Sequence, residues 1–187
     1  FLLKAKAANP DAIVLSGLVD ETVRALKQSY EVGIPKSVAR VANSVASKVE
    51  VPTNAGKAAV GVTYAAAFAA SDKRPIAKKF VKKIKDKYGV VPGHDFSQMQ
   101  DLLDMLRPAL EKAQLKFSGN LASDRNAVRD SIASITNFTG LASGPIGFCA
   151  AGSPECRDGN KTPVMIEYTK GGKNWKTKVA GTVTFNP

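Results

Sequence analysis

Histidine and cysteine are almost missing from this sequence: His94, Cys149 and Cys156 are the only ones in 187 residues. That scarcity removes the ligand clusters of zinc sites, and the chain holds no HExxH, paired CxxC, P-loop or GxSxG elbow. Neither a metal nor an organic cofactor is expected, and nothing argues for catalysis. No apolar run approaches the roughly 20 residues that a membrane-spanning helix needs. Acidic residues are also short, 16 against 27 Lys and Arg, which leaves a net charge of +11. A basic balance suits nucleic acid, an anionic membrane or an acidic ligand. The densest run, residues 73–87, carries no interleaved aromatics of the kind that stack single-stranded bases, so nucleic acid is not expected as a partner. An initiator methionine and a signal peptide are absent from the start, where the first residues already read as a helix end. The expectation is a C-terminal part of a longer protein whose precursor carries a signal peptide.

What the sequence does hold is an α/β alternation. Asn9, Pro10 and Asp11 precede the apolar run 12–15, Ser16 and Gly17 break it, and Asp20 is placed to cap a helix ending near Gly33. Val19, Val23, Leu26 and Tyr30 fall on one face of that helix. Strands are expected at 38–42 and 58–64, around a weaker helical segment at 45–50, which favours a parallel sheet with helices on its faces. Residues 65–70 read as a connector. A helix capped by Asp72 should run to Tyr88 with Ile76, Phe80 and Ile84 inward. Another should cover 97–113 with Leu102, Leu103, Leu106 and Leu110 buried and Pro108 kinking or ending it. Ser123 or Asp124 should open a fourth, with Val128, Ile132 and Ile135 inward. Residues 164–168 and 176–179, around the Lys170–Lys173 turn, read as a hairpin.

Three possible chemical features have plain alternatives. Asp101 and Asp104 share a helix face, but acidic residues near a helix N-terminus are explained by the dipole. His94, in a loop without a partner motif, reads as an edge histidine. Cys149 and Cys156, on either side of a turn-rich segment, suit a short-loop disulfide of an oxidising compartment or two reduced thiols.

Several stretches together carry a family likeness. NPDAIVLSG followed by ALKQSYEVGIP, then GVTYAAAF, FVKKIKDKYGVVP, DLLDMLRPALEKA, NAVRDSIASITNFTGLASGPIGF and EYTKGGKNWK follow one another over nearly the whole chain. In this wording and order the chain resembles the type I periplasmic solute-binding proteins, in the branch serving branched-chain amino-acid-type ABC transporters. The resemblance covers the C-terminal half of such proteins. It implies two α/β lobes that close on a solute by hinge motion, present here only in part. Residues 1–66 would belong to the second lobe, 67–163 to the first, and 164–187 would return to the second.

The resemblance also implies ligand contacts at three places: Ser16, Gly17, Leu18 and Val19 after the first strand, Asn43 and Ser44 after the next, and Phe96 as an aromatic lid. Amino-acid binders of the family hold the ligand ammonium with a carboxylate in the second of these loops, where this chain has Ala42, Asn43 and Ser44. An unpaired buried ammonium costs several kcal/mol, so an apolar or aromatic carboxylate is the favoured solute, with a branched-chain amino acid or amide as the alternative. The implied role is an extracytoplasmic, periplasmic component that delivers solute to a membrane permease; a ligand-sensing regulator uses the same fold. Open strand edges would favour a homodimer of this chain.

Overall fold

The computed structural model describes residues 1–117, 119–142, 144–148 and 162–183. A short helix α1 (Leu2–Ala7) leads into β1 (Ala12–Leu15), α2 (Val19–Glu31) and β2 (Ala39–Ala42). Two 3-10 turns, Ser44–Ser47 and Gly56–Ala59, bracket α3 (Glu50–Ala55) ahead of β3 (Val62–Ala66). Three helices follow, α4 (Pro75–Tyr88), α5 (His94–Ala113) and α6 (Leu121–Ala133), and β4 (Val164–Lys170) and β5 (Lys176–Thr182) come last.

All five strands form one sheet in the order β1-β2-β3-β4-β5. β1, β2 and β3 run parallel, each joined to the next through helices, as parallel pairing requires. β4 then pairs antiparallel with β3, placing Ile166 opposite Tyr64, and β5 turns back along β4. The expected parallel sheet is therefore one half of a mixed sheet, because the final hairpin needs only a tight turn to add two antiparallel strands.

The core lies between this sheet and helices α2 and α3. Leu26, Val51, Val62, Tyr64, Ile166 and Tyr168 are buried there. The Tyr168 ring sits 5.2 Å from Tyr64 and 6.1 Å edge-on from Trp175, and its hydroxyl donates to the Ala46 carbonyl. Burial pushes the Tyr64 hydroxyl up to about 12 and raises Tyr168 further, so both remain neutral phenols. A second cluster, Phe68, Ala77, Phe80, Ile84 and Leu141, gathers around α4, with the Phe68 and Phe80 rings edge to face at 5.9 Å.

Several local expectations are corrected. α2 opens at Val19 with Leu18 at the cap position, and Asp20 sits within the first turn, where it favours the helix dipole without capping. Tyr30 and Ile76 are exposed, not inward. The weaker helical segment expected at 45–50 is a 3-10 turn at Ser44–Ser47 followed by α3, which accommodates Pro52 in its first turn, where a missing N–H has no intrahelical partner to lose. α4 starts at Pro75; Asp72 instead accepts from the Arg74 backbone N–H and Nε, both at 2.8 Å. Burial works against the Asp72 charge, but these bonds and the Arg74 charge outweigh it and hold the carboxyl below its usual range. α6 opens at Leu121, where Asn120 accepts from the Ser123 N–H at 3.1 Å.

The largest departure is α5. It begins at His94, passes through Pro108, and buries Ser97, Asp101 and Ala109. Leu102, Leu103 and Leu110 face outward. Both cysteines lie outside the described residues, and with them the expected disulfide.

Candidate functional site

In α/β sheets the loops past the strand C-termini collect around a crevice at the point where the strand order or direction changes. Here that point is β3, parallel to β2 on one side and antiparallel to β4 on the other. A cavity of about 480 Å³ opens at its end. Ser44 enters the wall from the turn past β2, Ala65 and Ala66 from β3 itself, and Ala67 from just beyond it. One face of α5 supplies His94, Gln98, Asp101 and Met105, whose spacing stacks them along a single helix side. Gly144, Ile146, Thr162 and Pro163 close the far side.

Asp101 is 2% exposed and both its oxygens are engaged. Oδ1 accepts from the Leu141 N–H at 2.7 Å, and Oδ2 accepts from the Ala142 N–H at 2.8 Å. The loop can approach this closely because residue 140 is glycine: a Cβ there would stand 2.2 Å from Oδ1. Arg74 holds the same loop from the other side, donating to the Leu141 carbonyl at 2.7 Å. Asp104, by contrast, is exposed and accepts from Gln100 at 2.9 Å. The two carboxylates therefore do not act as a pair.

His94 is nearly enclosed, its side chain 12% exposed, with Nε2 3.0 Å from Asp95 Oδ1. Asp95 is also the ion-pair partner of Lys48. Desolvation first, and the Lys48 charge second, hold the imidazole below its ordinary range, so it is neutral at physiological pH. Around it, the wall carries the hydroxyls of Ser44 and Thr162, the amide of Gln98 and a lining of alanine, methionine, isoleucine and proline. Such a surface holds a small, largely apolar molecule by a few hydrogen bonds. Among the described residues no cluster of metal-ligating side chains occurs.

The seven residues expected from the sequence divide by position. Ser44 lines the cavity. Ser16, Gly17 and Leu18 form the loop past β1; Leu18 is 72% exposed, and Val19, half-buried, packs on the core. Asn43 joins the two loops, donating from Nδ2 to the Gly17 carbonyl at 3.2 Å. Phe96 is 47% exposed in the first turn of α5 and is not among the wall residues. Sequence reading weighed His94 and Asp101 and set them aside, and passed over Gln98, Met105 and Thr162. For the four on α5 the signal was the spacing 94, 98, 101, 105, visible only once the helix is known to begin at His94 instead of Ser97.

Parallel strands with helical crossovers, a returning antiparallel hairpin and a crevice at the junction define an α/β ligand-binding fold. The chain belongs to the periplasmic binding protein family, whose sequence profile matches residues 1–155. No curated protein matches it in sequence. Among solved structures it is similar to a leucine-binding protein LivK from Thermotoga maritima, at 27% identity and a TM-score of 0.76, covering 97% of this chain and 47% of that one. A branched-chain amino acid transporter substrate-binding protein LivJ from Streptococcus pneumoniae, in complex with isoleucine, shares 22% identity with a TM-score of 0.74, over 100% of this chain and 47% of that one. A solute-binding protein of an R. palustris ABC transporter, in complex with benzoate, shares the fold at 15% identity and a TM-score of 0.75, over 100% and 47%. The chain thus spans about half the length of the solved structures it matches.

Proposed function

We propose that this chain forms part of the extracytoplasmic solute-binding component of an ABC importer. Its role is binding, not catalysis: it captures a small organic solute between two lobes and passes it to a membrane permease. Family membership and the solved relatives support this reading. Among the described residues no helix is long and apolar enough to cross a membrane. The comparisons speak of solute binding and transport and lend no support to a homodimer. We assign residues 1–66 and 164–187 to one lobe and 67–163 to the other. The separate apolar clusters around the sheet and around α4 support that division, with Ala69 alone of the second segment joining the sheet cluster.

The favoured solute is an apolar or aromatic carboxylate, met by Ser44 in the cavity wall, with Ser16 to Val19, Asn43 and Phe96, which stand outside that wall, as further contacts. The observation that carries this is the wall chemistry: hydroxyl and amide groups from Ser44, Gln98 and Thr162 beside an apolar lining, and one carboxylate already occupied by two backbone amides. An amino-acid solute is the second reading, favoured by the presence of Asp101 in the wall at all. A carboxylate oxygen has a lone pair to spare beyond one amide.

Calorimetry on the protein, extended to the length of its solved relatives, separates the two. Benzoate or a short aliphatic acid is expected to bind while L-leucine does not; tight leucine binding with no response to either acid overturns the carboxylate reading. Replacing Phe96 by Ala should weaken binding by about 1–3 kcal/mol if the ring covers the solute. Unchanged affinity removes Phe96 from the site.

A further inference from the structure

Helix α4, which contributes no residue to the cavity wall, carries an unusual concentration of one charge. Helix α4 presents Lys78, Lys79, Lys82, Lys83, Lys85 and Lys87, all exposed, and holds a single acidic residue, Asp86, paired with Lys82 at 2.5 Å. Lys73 is exposed just ahead of the helix. The apolar face, Ala77, Phe80 and Ile84, is already used in packing.

Helix stability does not account for these lysines. The first turn of α4 has no acidic residue, and Lys78 and Lys79 stand in the N-terminal half, where the dipole disfavours cations. Lys78 and Lys82, Lys79 and Lys83, and Lys83 and Lys87 are like-charge pairs at i,i+4, each of which weakens a helix. Only Lys85 and Lys87, in the last turn, gain from the dipole. A self-repelling arrangement of this kind is relieved when an external anion comes close.

The residue type says which anion. The helix contains lysine and no arginine, so it lacks the planar forks that hold a carboxylate or phosphate bidentately. Compact point charges spread along a surface of about 21 Å suit a diffuse field of negative charge. No aromatic residue is interleaved among Lys78 to Lys87 except the buried Phe80, which argues against stacked nucleobases. Ala77, Phe80 and Ile84 are packed inward, and the exposed Ile76 and Tyr88 stand singly at the two ends of the helix, so it lies on such a surface without an apolar face to insert.

We infer that the α4 lysine face is a docking surface for an anionic phospholipid membrane, holding the protein against the lipid headgroups by electrostatics alone. This goes beyond solute capture and does not depend on which solute is bound, since α4 contributes nothing to the cavity wall.

The test is co-sedimentation of the protein with vesicles of phosphatidylglycerol mixed into phosphatidylcholine, against pure phosphatidylcholine. Binding to the anionic vesicles alone is expected, falling steeply from low salt to physiological ionic strength. The variant Lys78→Gln, Lys79→Gln, Lys82→Gln and Lys83→Gln should lose at least about tenfold in partition, because each lysine near the surface contributes on the order of 1 kcal/mol. A control with Lys4, Lys27, Lys36 and Lys173 replaced by Gln changes net charge equally and should keep most of the binding. Circular dichroism verifies that each variant is folded. Equal binding to neutral vesicles, equal losses in both variants, or tighter binding to polyglutamate than to vesicles overturns the proposal. Calorimetry with the solute, unchanged by either variant, keeps a failure here distinct from a failure of the solute reading.

Discussion

Asp101 is the residue on which the cavity wall depends. Its carboxylate accepts from two amides, the buried Leu141 N–H and the half-buried Ala142 N–H. Replacing it by Ala leaves both donors without a partner, at about 1–3 kcal/mol for each unsatisfied group. Urea denaturation of Asp101→Ala should show a loss of roughly 2–4 kcal/mol and Asp101→Asn a smaller one, since the amide keeps one acceptor oxygen. A loss under about 1 kcal/mol for Ala would mean that water serves the two amides equally well. His94 contributes to the acid side of stability. Its folded-state value lies below the ordinary 6.5, by burial first and Lys48 second. The unfolded chain therefore takes up a proton where the folded one does not, and stability present above that value falls as pH drops through it toward the folded value. Thermal melts between neutral and mildly acidic pH should show this slope, and His94→Gln should flatten it. A slope unchanged in the variant assigns the acid sensitivity to other groups.

At the level of elements, α5 explains why the site was only partly legible in the sequence. Its leucines at 102, 103, 106 and 110 form the stronger apolar stripe, and hydrophobic periodicity turns that stripe inward. In the fold the opposite face, Ser97, Asp101 and Ala109, is buried, because Asp101 is held by backbone amides forty residues away in the chain. Long-range hydrogen bonding of a charged group overrode the local pattern. Pro108 likewise reads as a breaker, yet the helix continues on both sides of it. Its missing N–H forfeits the bond to the carbonyl four residues back. Pro108→Ala should restore that bond and raise the melting temperature, and a lower one would show that the ring's packing outweighs it. The strands were more legible: β1 occupies residues 12–15 as read, β2 starts one residue later than expected, and both hairpin strands start where expected and run two and three residues further, since short runs of Val, Ile, Tyr and Thr bounded by Gly and Pro admit few alternatives. β3 begins at Val62 and not at Ala58, because the stretch before it coils as a 3-10 turn and Gly61, at a positive φ, stands between the turn and the strand.

For the whole molecule, the two apolar clusters share no buried residue. Truncations in each should then act independently. Val62→Ala and Phe80→Leu, measured by denaturation singly and together, are expected to add within about 0.5 kcal/mol. A larger coupling would show that the sheet and the α4 helix unfold as one packed body. Charge is also distributed unevenly over the molecule, since the cavity wall bears no lysine or arginine while α4 bears six lysines.

By itself the sequence determined the class of fold, the order of its strands and helices, and the family wording that carries the solute-binding reading. These depend on local signals, namely apolar runs, glycine and proline breaks and capping residues, which act over a few neighbouring positions. Only the tertiary structure decided that His94, Gln98 and Asp101 face the cavity with Ser44, and that Phe96 stands outside its wall. Which face of a helix is buried depends on partners far away in the chain. For α5 that partner is a loop of backbone amides, which no periodicity records.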